Sequence, residues 1–169
     1  MQEKKTPSGA FEKIKSKLVV LGTLQKEADL CDDNLTSQTP SIHTILIQTT
    51  RATAERREVI TFDVGQAFLN AQLKTKGKDH IVLRLSAPVA DILTNLDSLY
   101  RQYLCVDGTI LVKLKKALYG LRQVPRVWFD TIRAFLLHNG LQQSKLNDCF
   151  FSKHYPDGTS IDIAIHVVS

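Results

Sequence analysis

Long apolar runs are missing from this chain. The longest, such as KLVVLG and AFLLH, fall far short of the roughly 20 residues that a membrane-spanning helix requires. The opening MQEKKTPSGAFEK also lacks the apolar core of a signal peptide. No membrane segment is expected, and an intracellular protein, cytoplasmic or nuclear, fits best. Cysteine is scarce as well. Cys31, Cys105 and Cys149 are odd in number and far apart, with no C-x-x-C pair, which argues against a disulfide framework and against a zinc site. Repeats and low-complexity tracts are absent, so the 169 residues read as one ordinary domain with a core of its own. Acidic residues are outnumbered, 17 Asp plus Glu against 22 Lys plus Arg, and the net charge of +5 favours an anionic partner without naming it.

What is present reads as alternating strands and helices. Residues 1–10 form a polar N-terminal tail, and the domain proper runs over 11–169. FEKIKSKLVVLGTLQK alternates loosely between apolar and basic residues, as a strand with one wet, positive face does, and Gly22 is placed to end it. Thr39-Pro40 offers an N-cap and a first-turn proline for a helix running to about Arg56, with Ile42, Ile45 and Leu46 as its buried stripe and Arg51, Arg56 and Arg57 closing it. EVITFDV, residues 58–64, is rich in β-branched and aromatic side chains and reads as a central strand ending at Asp63.

Further along, the Lys-rich KTKGKD loop precedes the strand HIVLRL, residues 86–109 hold one or two helices, and the CVDGTI turn leads into the short strand ILVKL. From Val124 the periodicity is helical, with Val127 or Trp128, Ile132, Phe135 and Leu136 on one side and Asn139-Gly140 as the stop. CFFSKHYPDGTSIDIAIHVVS is two strands joined by a Tyr-Pro-Asp-Gly turn. The order predicts an α+β unit with a largely antiparallel sheet.

Three stretches carry a resemblance: KIKSKLVVLGTLQK, FDVGQAFLNAQL and VKLKKALYGLRQVPRVWFD. In order and spacing they resemble the basic fingers strand, the first palm motif and the second nucleotide-side segment of the reverse transcriptase domain of Ty1/copia-type retrotransposons. The similarity runs from about Phe11 to the last residue. It implies a right-hand polymerase fingers and palm, with a largely antiparallel palm sheet packed on helices and the thumb absent. It also implies an RNA template, a DNA primer, deoxynucleoside triphosphates and two Mg²⁺ (or Mn²⁺) ions as partners. Two such ions clamp the attacking and leaving oxygens, and hard carboxylate oxygens are what hold them.

By this resemblance Asp63 is the first catalytic carboxylate and a metal ligand, and the Val64 carbonyl is a second ligand. Gln66 and Ala67 lie under the triphosphate, and Phe68 lies beneath the deoxyribose. On pattern alone, Phe68 and Leu69 read more readily as core, and it is the flanking resemblance that favours the sugar-side role. Gly120, Arg122 and Gln123 form the second nucleotide-side turn, Pro125 suits the helix start, and the resemblance leaves open which of Arg122, Gln123 and Arg126 touches substrate. Trp128 and Phe129 read as anchors of that helix to the sheet. Lys13, Lys15 and Lys17 alternate along one strand face, where they contact template or triphosphate or simply edge a solvated strand. Lys113, Lys115 and Lys116 pose the same choice, and the family's second basic residue is Leu21 here.

The resemblance fails at one place. The family closes its last hairpin with Tyr-Val-Asp-Asp, and the aligned residues here are His166, Val167, Val168 and Ser169. Loss of two acids removes several kcal/mol of transition-state stabilisation on the order of magnitude expected of metal ligands. Asp162, four residues earlier on a strand, is too distant to substitute and reads as a surface residue. The expected protein is a truncated, degenerate reverse transcriptase domain. The alternative is a non-catalytic module that uses the same basic palm to bind nucleic acid or a partner.

Overall fold

A computed structural model of the chain describes residues 2–15, 17–25, 35–73 and 81–167. The KTKGKD loop, Cys31, Val168 and Ser169 lie outside the described residues. Helices and antiparallel strand pairs alternate along the chain, as an α+β reading requires, but among the described residues the strands form three small sheets rather than one.

The first sheet corrects the N-terminal reading. Gln2–Lys5 (β1) pairs antiparallel with Phe11–Lys15 (β2), so the polar segment 1–10 contains a strand. Backbone hydrogen bonds form it, with Thr6 N–H donating to Ala10 O and Gly9 N–H to Thr6 O at the turn. The first of its strands, QEKK, offers no apolar alternation in the sequence to mark it. The strand ends at Lys15, well before Gly22, and Gly22–Leu24 is a single 3-10 turn.

Ile42–Ala54 (α1) begins two residues later than Thr39-Pro40 suggests, because Ser41 is the cap: its Oγ accepts the Thr44 N–H at 3.2 Å. Arg51 lies in its last turn, whereas Arg56 and Arg57 fall beyond its end. The apolar stripe is present but not buried. Ile42, Ile45 and Leu46 are all exposed, since no element of the described chain packs over them.

The larger correction concerns residues 58–64. They form no strand, and Val59, Ile60, Phe62 and Val64 are all exposed. A β-branched run fits a pleated, half-buried surface but needs a neighbouring strand to pair with. Among the described residues it has none.

A short helix, Ala67–Asn70 (α2), follows Gln66, whose left-handed backbone (φ 54°) turns the chain. Val82–Leu85 (β3) pairs antiparallel with Ile110–Lys113 (β4), confirming both short strands. Residues 86–109 resolve into two elements, Ala87–Leu96 (α3) and a 3-10 helix Ser98–Tyr103. The CVDGTI turn is closed by Gly108 N–H donating to Cys105 O and Cys105 N–H to Thr109 O.

Val124–His138 (α4) is the long helix that the periodicity predicts. Val124, Trp128, Phe129 and Leu136 are its buried residues, whereas Phe135 faces solvent. Asn139 and Gly140 stop it, the glycine at φ 80° and the Asn139 Nδ2 donating to Phe135 O at 2.8 Å. The last sheet has the order β5–β6–β7, formed by Gln142–Gln143, Phe150–His154 and Ser160–Ala164, with the YPDG turn between the last two. The two-residue β5 is too short to show in the sequence.

One core cluster holds these pieces together. Phe68 and Ala71 of the α2 region meet Ala117, Leu121, Val124, Trp128 and Phe129, and Cys149 and Val167, just outside the strands of the last sheet, belong to the same cluster. Trp128 and Phe129 thus anchor α4, as expected. The 114–121 segment lies between α2 and α4, which places the Tyr119-Gly120 turn at the rim of the core.

Candidate functional site

The turn at residues 119–123 is where the structure gathers the most sequence-predicted residues. Two glycines make the gathering possible. Gly120 has φ +92°, and a Cβ added there would lie 2.0 Å from Val20 O; a Cβ on Gly22 would lie 2.0 Å from Gly120 O. The backbones of 19–22 and 119–120 therefore touch, with Val20 N–H donating to Tyr119 O at 2.8 Å. This seats the basic N-terminal segment directly on the 119–120 turn.

Tyr119 is the hub. The Lys17 Nζ stands over its ring, 3.4 Å from the centroid, and the Phe68 ring lies on it at 5.2 Å, tilted by 51°. A cation over an aromatic face is attracted by the ring quadrupole, so Lys17 is held here by more than chance. On the other side of Gly120, the Gln25 amide reaches the start of α4. Its Nε2 donates to Gln123 Oε1 at 2.7 Å, and its Oε1 accepts the Arg122 N–H at 3.2 Å. Gln123 is 2% exposed, while the Arg122 side chain is exposed and makes no ion pair among the described residues.

Lys17, Phe68, Gly120, Arg122 and Gln123 thus come together, and Ala67 packs partly buried against the same core. Phe68 itself belongs to that core. Other predicted residues stand apart. Arg126 is turned along its own helix to Asp130 at 3.0 Å, Lys13 lies 3.9 Å from Glu12, and Lys15 is on β2. Lys113 ends β4, and Lys116 forms an isolated bridge with Gln72.

The residues expected to hold metal are placed differently. Asp63 is exposed, and it makes no hydrogen bond or ion pair among the described residues. The Val64 carbonyl accepts the Ala67 N–H at 3.2 Å, so that oxygen and that N–H close the turn on each other. Gln66 is exposed at the same turn. Among the described residues no three His, Cys, Asp or Glu side chains stand close enough to hold a metal ion. Positions 168 and 169, outside those residues, carry Val and Ser. The donor set among the described residues does not fit a two-metal centre, which needs several hard oxygen ligands around both ions.

Asp162 is not the surface residue that its sequence position suggests. Its side chain is 13% exposed and takes two cations, Arg57 at 2.9 Å and Arg51 at 3.5 Å. Glu55 joins them, bonded to Arg51 at 2.8 Å and also to Arg57. The hydrogen bond from Arg51 is the main reason that the Glu55 carboxyl lies below its ordinary value and that Arg51 lies above its own. This network ties the end of α1 to β7. Two of the cations were visible as the basic end of a helix, but nothing in the sequence names their partner. Tyr119 and Gln25 were also missed, although both lie inside stretches singled out for other residues.

Cys149 is buried, and burial raises its thiol pKa, so it is an inert core residue. No helix among the described residues is long and apolar enough to cross a membrane.

The family model described as reverse transcriptase (RNA-dependent DNA polymerase) matches residues 2–168 of the chain. No curated protein matches it, and no solved structure matches it.

Proposed function

The chain belongs to the reverse transcriptase (RNA-dependent DNA polymerase) family, and on that premise we propose that it is the fingers and palm region of a Ty1/copia-type retrotransposon enzyme, degenerate on its metal side. Membership implies a nucleic-acid template and nucleotide substrates as the partner classes. The proposed specifics are an RNA template, a DNA primer and deoxynucleoside triphosphates.

The observation that supports this reading is the convergence on Tyr119. Lys17 and Arg122 bring two cations to one turn, suited to a triphosphate. Gln123 brings an amide, and Phe68 brings ring bulk against which a sugar without a 2′-hydroxyl fits. Gln66 and Ala67 are the proposed neighbours of the phosphates, with Lys13, Lys15 and Arg126 as template contacts. Asp63 is the proposed remaining acid of the catalytic set, with the Val64 carbonyl beside it.

Because one carboxylate cannot hold two divalent ions, no chemical step is assigned to a bound metal. A second reading, binding without turnover, is favoured by that same donor set. Primer extension on an RNA template in Mg²⁺ or Mn²⁺ separates them, comparing the native chain with Asp63→Asn and with a Val168→Asp, Ser169→Asp double variant. Extension by the double variant alone is the expected result. Extension by the native chain that Asp63→Asn abolishes would overturn the degeneracy. Extension by none, with dNTP and RNA still bound, would favour the binding module.

A further inference from the structure

We infer that Gln25 is a positioning residue that fixes which end of the Gln123 amide meets a nucleotide: the donor end, Nε2, is presented to an acceptor oxygen. This rests on the polymerase reading of the 119–123 turn and goes one step past it, to a residue in the N-terminal segment and to the polarity of the contact.

One group in this contact has a fixed polarity. A backbone N–H can only donate, so the atom of Gln25 that meets Arg122 N–H at 3.2 Å must be its carbonyl oxygen. Reversing the Gln25 amide would set N–H against N–H. With Oε1 committed to Arg122, the Gln25 Nε2 is left facing Gln123, 2.7 Å away, and it too can only donate. Gln123 must therefore answer with Oε1. The orientation of one backbone amide is thus relayed through two side chains.

The consequence lies at the far end of the relay. Gln123 Nε2 is buried and has no hydrogen-bond partner among the described residues, in a residue that is only 2% exposed. Buried donors are normally satisfied, and an unsatisfied one in a native structure calls for a missing partner. That partner must be an acceptor. A nucleotide supplies acceptors as phosphate oxygens and as sugar or base oxygens, and the relay suits either source. The seating of Val20 and Gly22 on Tyr119 and Gly120 keeps Gln25 in reach, so the orientation is built into the fold before any ligand arrives.

The test is an isosteric reversal. In Gln25→Glu the carboxylate still accepts from Arg122 N–H but cannot donate to Gln123, so the Gln123 amide turns over and presents Oε1 instead. Gln25→Leu removes the relay without reversing it. Titrating the full chain with dTTP, with thymidine and with inorganic triphosphate gives the affinities, and side-chain ¹⁵N–¹H spectra of the glutamine NH₂ groups read the amide directly. Thermal melting is followed in parallel.

The expected result is a loss of about tenfold in dTTP affinity for Gln25→Glu, the worth of one hydrogen bond, with a smaller loss for Gln25→Leu. The Gln123 NH₂ signal should move on dTTP addition in the native chain and take a hydrogen-bonded shift in ligand-free Gln25→Glu. A parallel loss with triphosphate alone assigns the acceptor to phosphate, and one with thymidine alone to sugar or base. Native binding that Gln25→Glu leaves unchanged would overturn the relay and leave the polymerase reading intact. If the native chain binds none of the three probes, the polymerase reading and the nucleotide contact both fail, and only the amide orientation is left for the spectra. Should Gln25→Glu fail to fold, Gln25→Leu decides by the same affinities, no loss overturning the proposal.

Discussion

The close seating of residues 19–22 on residues 119–120 can be broken in a graded way by three alanines. Gly158 has φ +84° with nothing within 4 Å of an added Cβ, Gly22 has a Cβ position 2.0 Å from Gly120 O without a left-handed backbone, and Gly120 combines φ +92° with a Cβ 2.0 Å from Val20 O. Gly158→Ala therefore meets backbone strain alone, about 1–2 kcal/mol, partly offset by about 0.4–1 kcal/mol through the stiffer unfolded chain. Gly22→Ala meets the steric clash alone, about 1–3 kcal/mol if the segment shifts as an overpacked core does, with the same offset. Gly120→Ala meets both, and displacing Val20 also endangers its hydrogen bond to Tyr119 O. Its loss should reach roughly 2–5 kcal/mol. With a urea slope of about 1–3 kcal/mol per molar, the unfolding midpoint for Gly120→Ala falls by about 0.7 M or more, and further than that for Gly158→Ala. Equilibrium urea unfolding followed by the fluorescence of the single Trp, Trp128, reads all three. A Gly120→Ala midpoint no lower than that of Gly158→Ala would refute the contact, and with it the placement of Lys17 and Gln25 at the turn.

Two further outcomes are expected. Asp162→Ala strands Arg57 and Arg51 at a part-buried position and should cost about 1–3 kcal/mol, between the values for exposed and buried pairs; a double-mutant cycle in urea should show stronger coupling to Arg57, the nearer cation, than to Arg51, and no coupling to either would sink the network. Hydrogen bonds hold three carboxyls below their ordinary values of 4.5 for Glu55 and 3.8 for Asp107 and Asp157, from Arg51 in the first case and from the Thr109 and Thr159 hydroxyls in the others. A depressed folded pKa gives stability that is present above the ordinary value and lost as pH falls through the lower folded one, so the melting temperature should drop below about pH 4, and a rise on acidification would contradict the assignment.

The sequence spoke clearly wherever one stretch of chain decides its own structure. The 3.6-residue pattern from Val124 and the Asn139-Gly140 stop give α4 almost to the residue, and Tyr-Pro-Asp-Gly gives the β6–β7 hairpin, where the Asp157 carboxylate takes the Thr159 N–H at 2.9 Å. It was silent where a distant partner decides. Residues 58–64 have the composition of a central strand, yet composition cannot supply a neighbour. Asp162 looked like surface because its two cations are 105 and 111 residues away in sequence. Gln25 could be quoted within a basic strand, but its meaning comes from a turn 98 residues further on. The N-terminal hairpin failed for a different reason: its first strand, QEKK, has no apolar residue whose alternation would mark it.

The two halves of the site are therefore held by different physics. On the proposed nucleotide side, backbone contact between two glycine-bearing segments, a tilted ring pair and an amide relay fix the residues, and Lys17 and Arg122 are the cations proposed to attract phosphate. Such contacts would favour a bound nucleotide and the transition state about equally, and interactions of that kind confer affinity without rate. Rate depends on what stabilises charge only as the bond is made, and in the proposed enzyme that falls to carboxylates. Asp63 is on an exposed run with no partner among the described residues, and Val168 and Ser169 supply no acid. Affinity and turnover should then separate in this chain, so a dTTP titration and a primer-extension assay probe different halves of the molecule, and restoring two acids should change the second far more than the first.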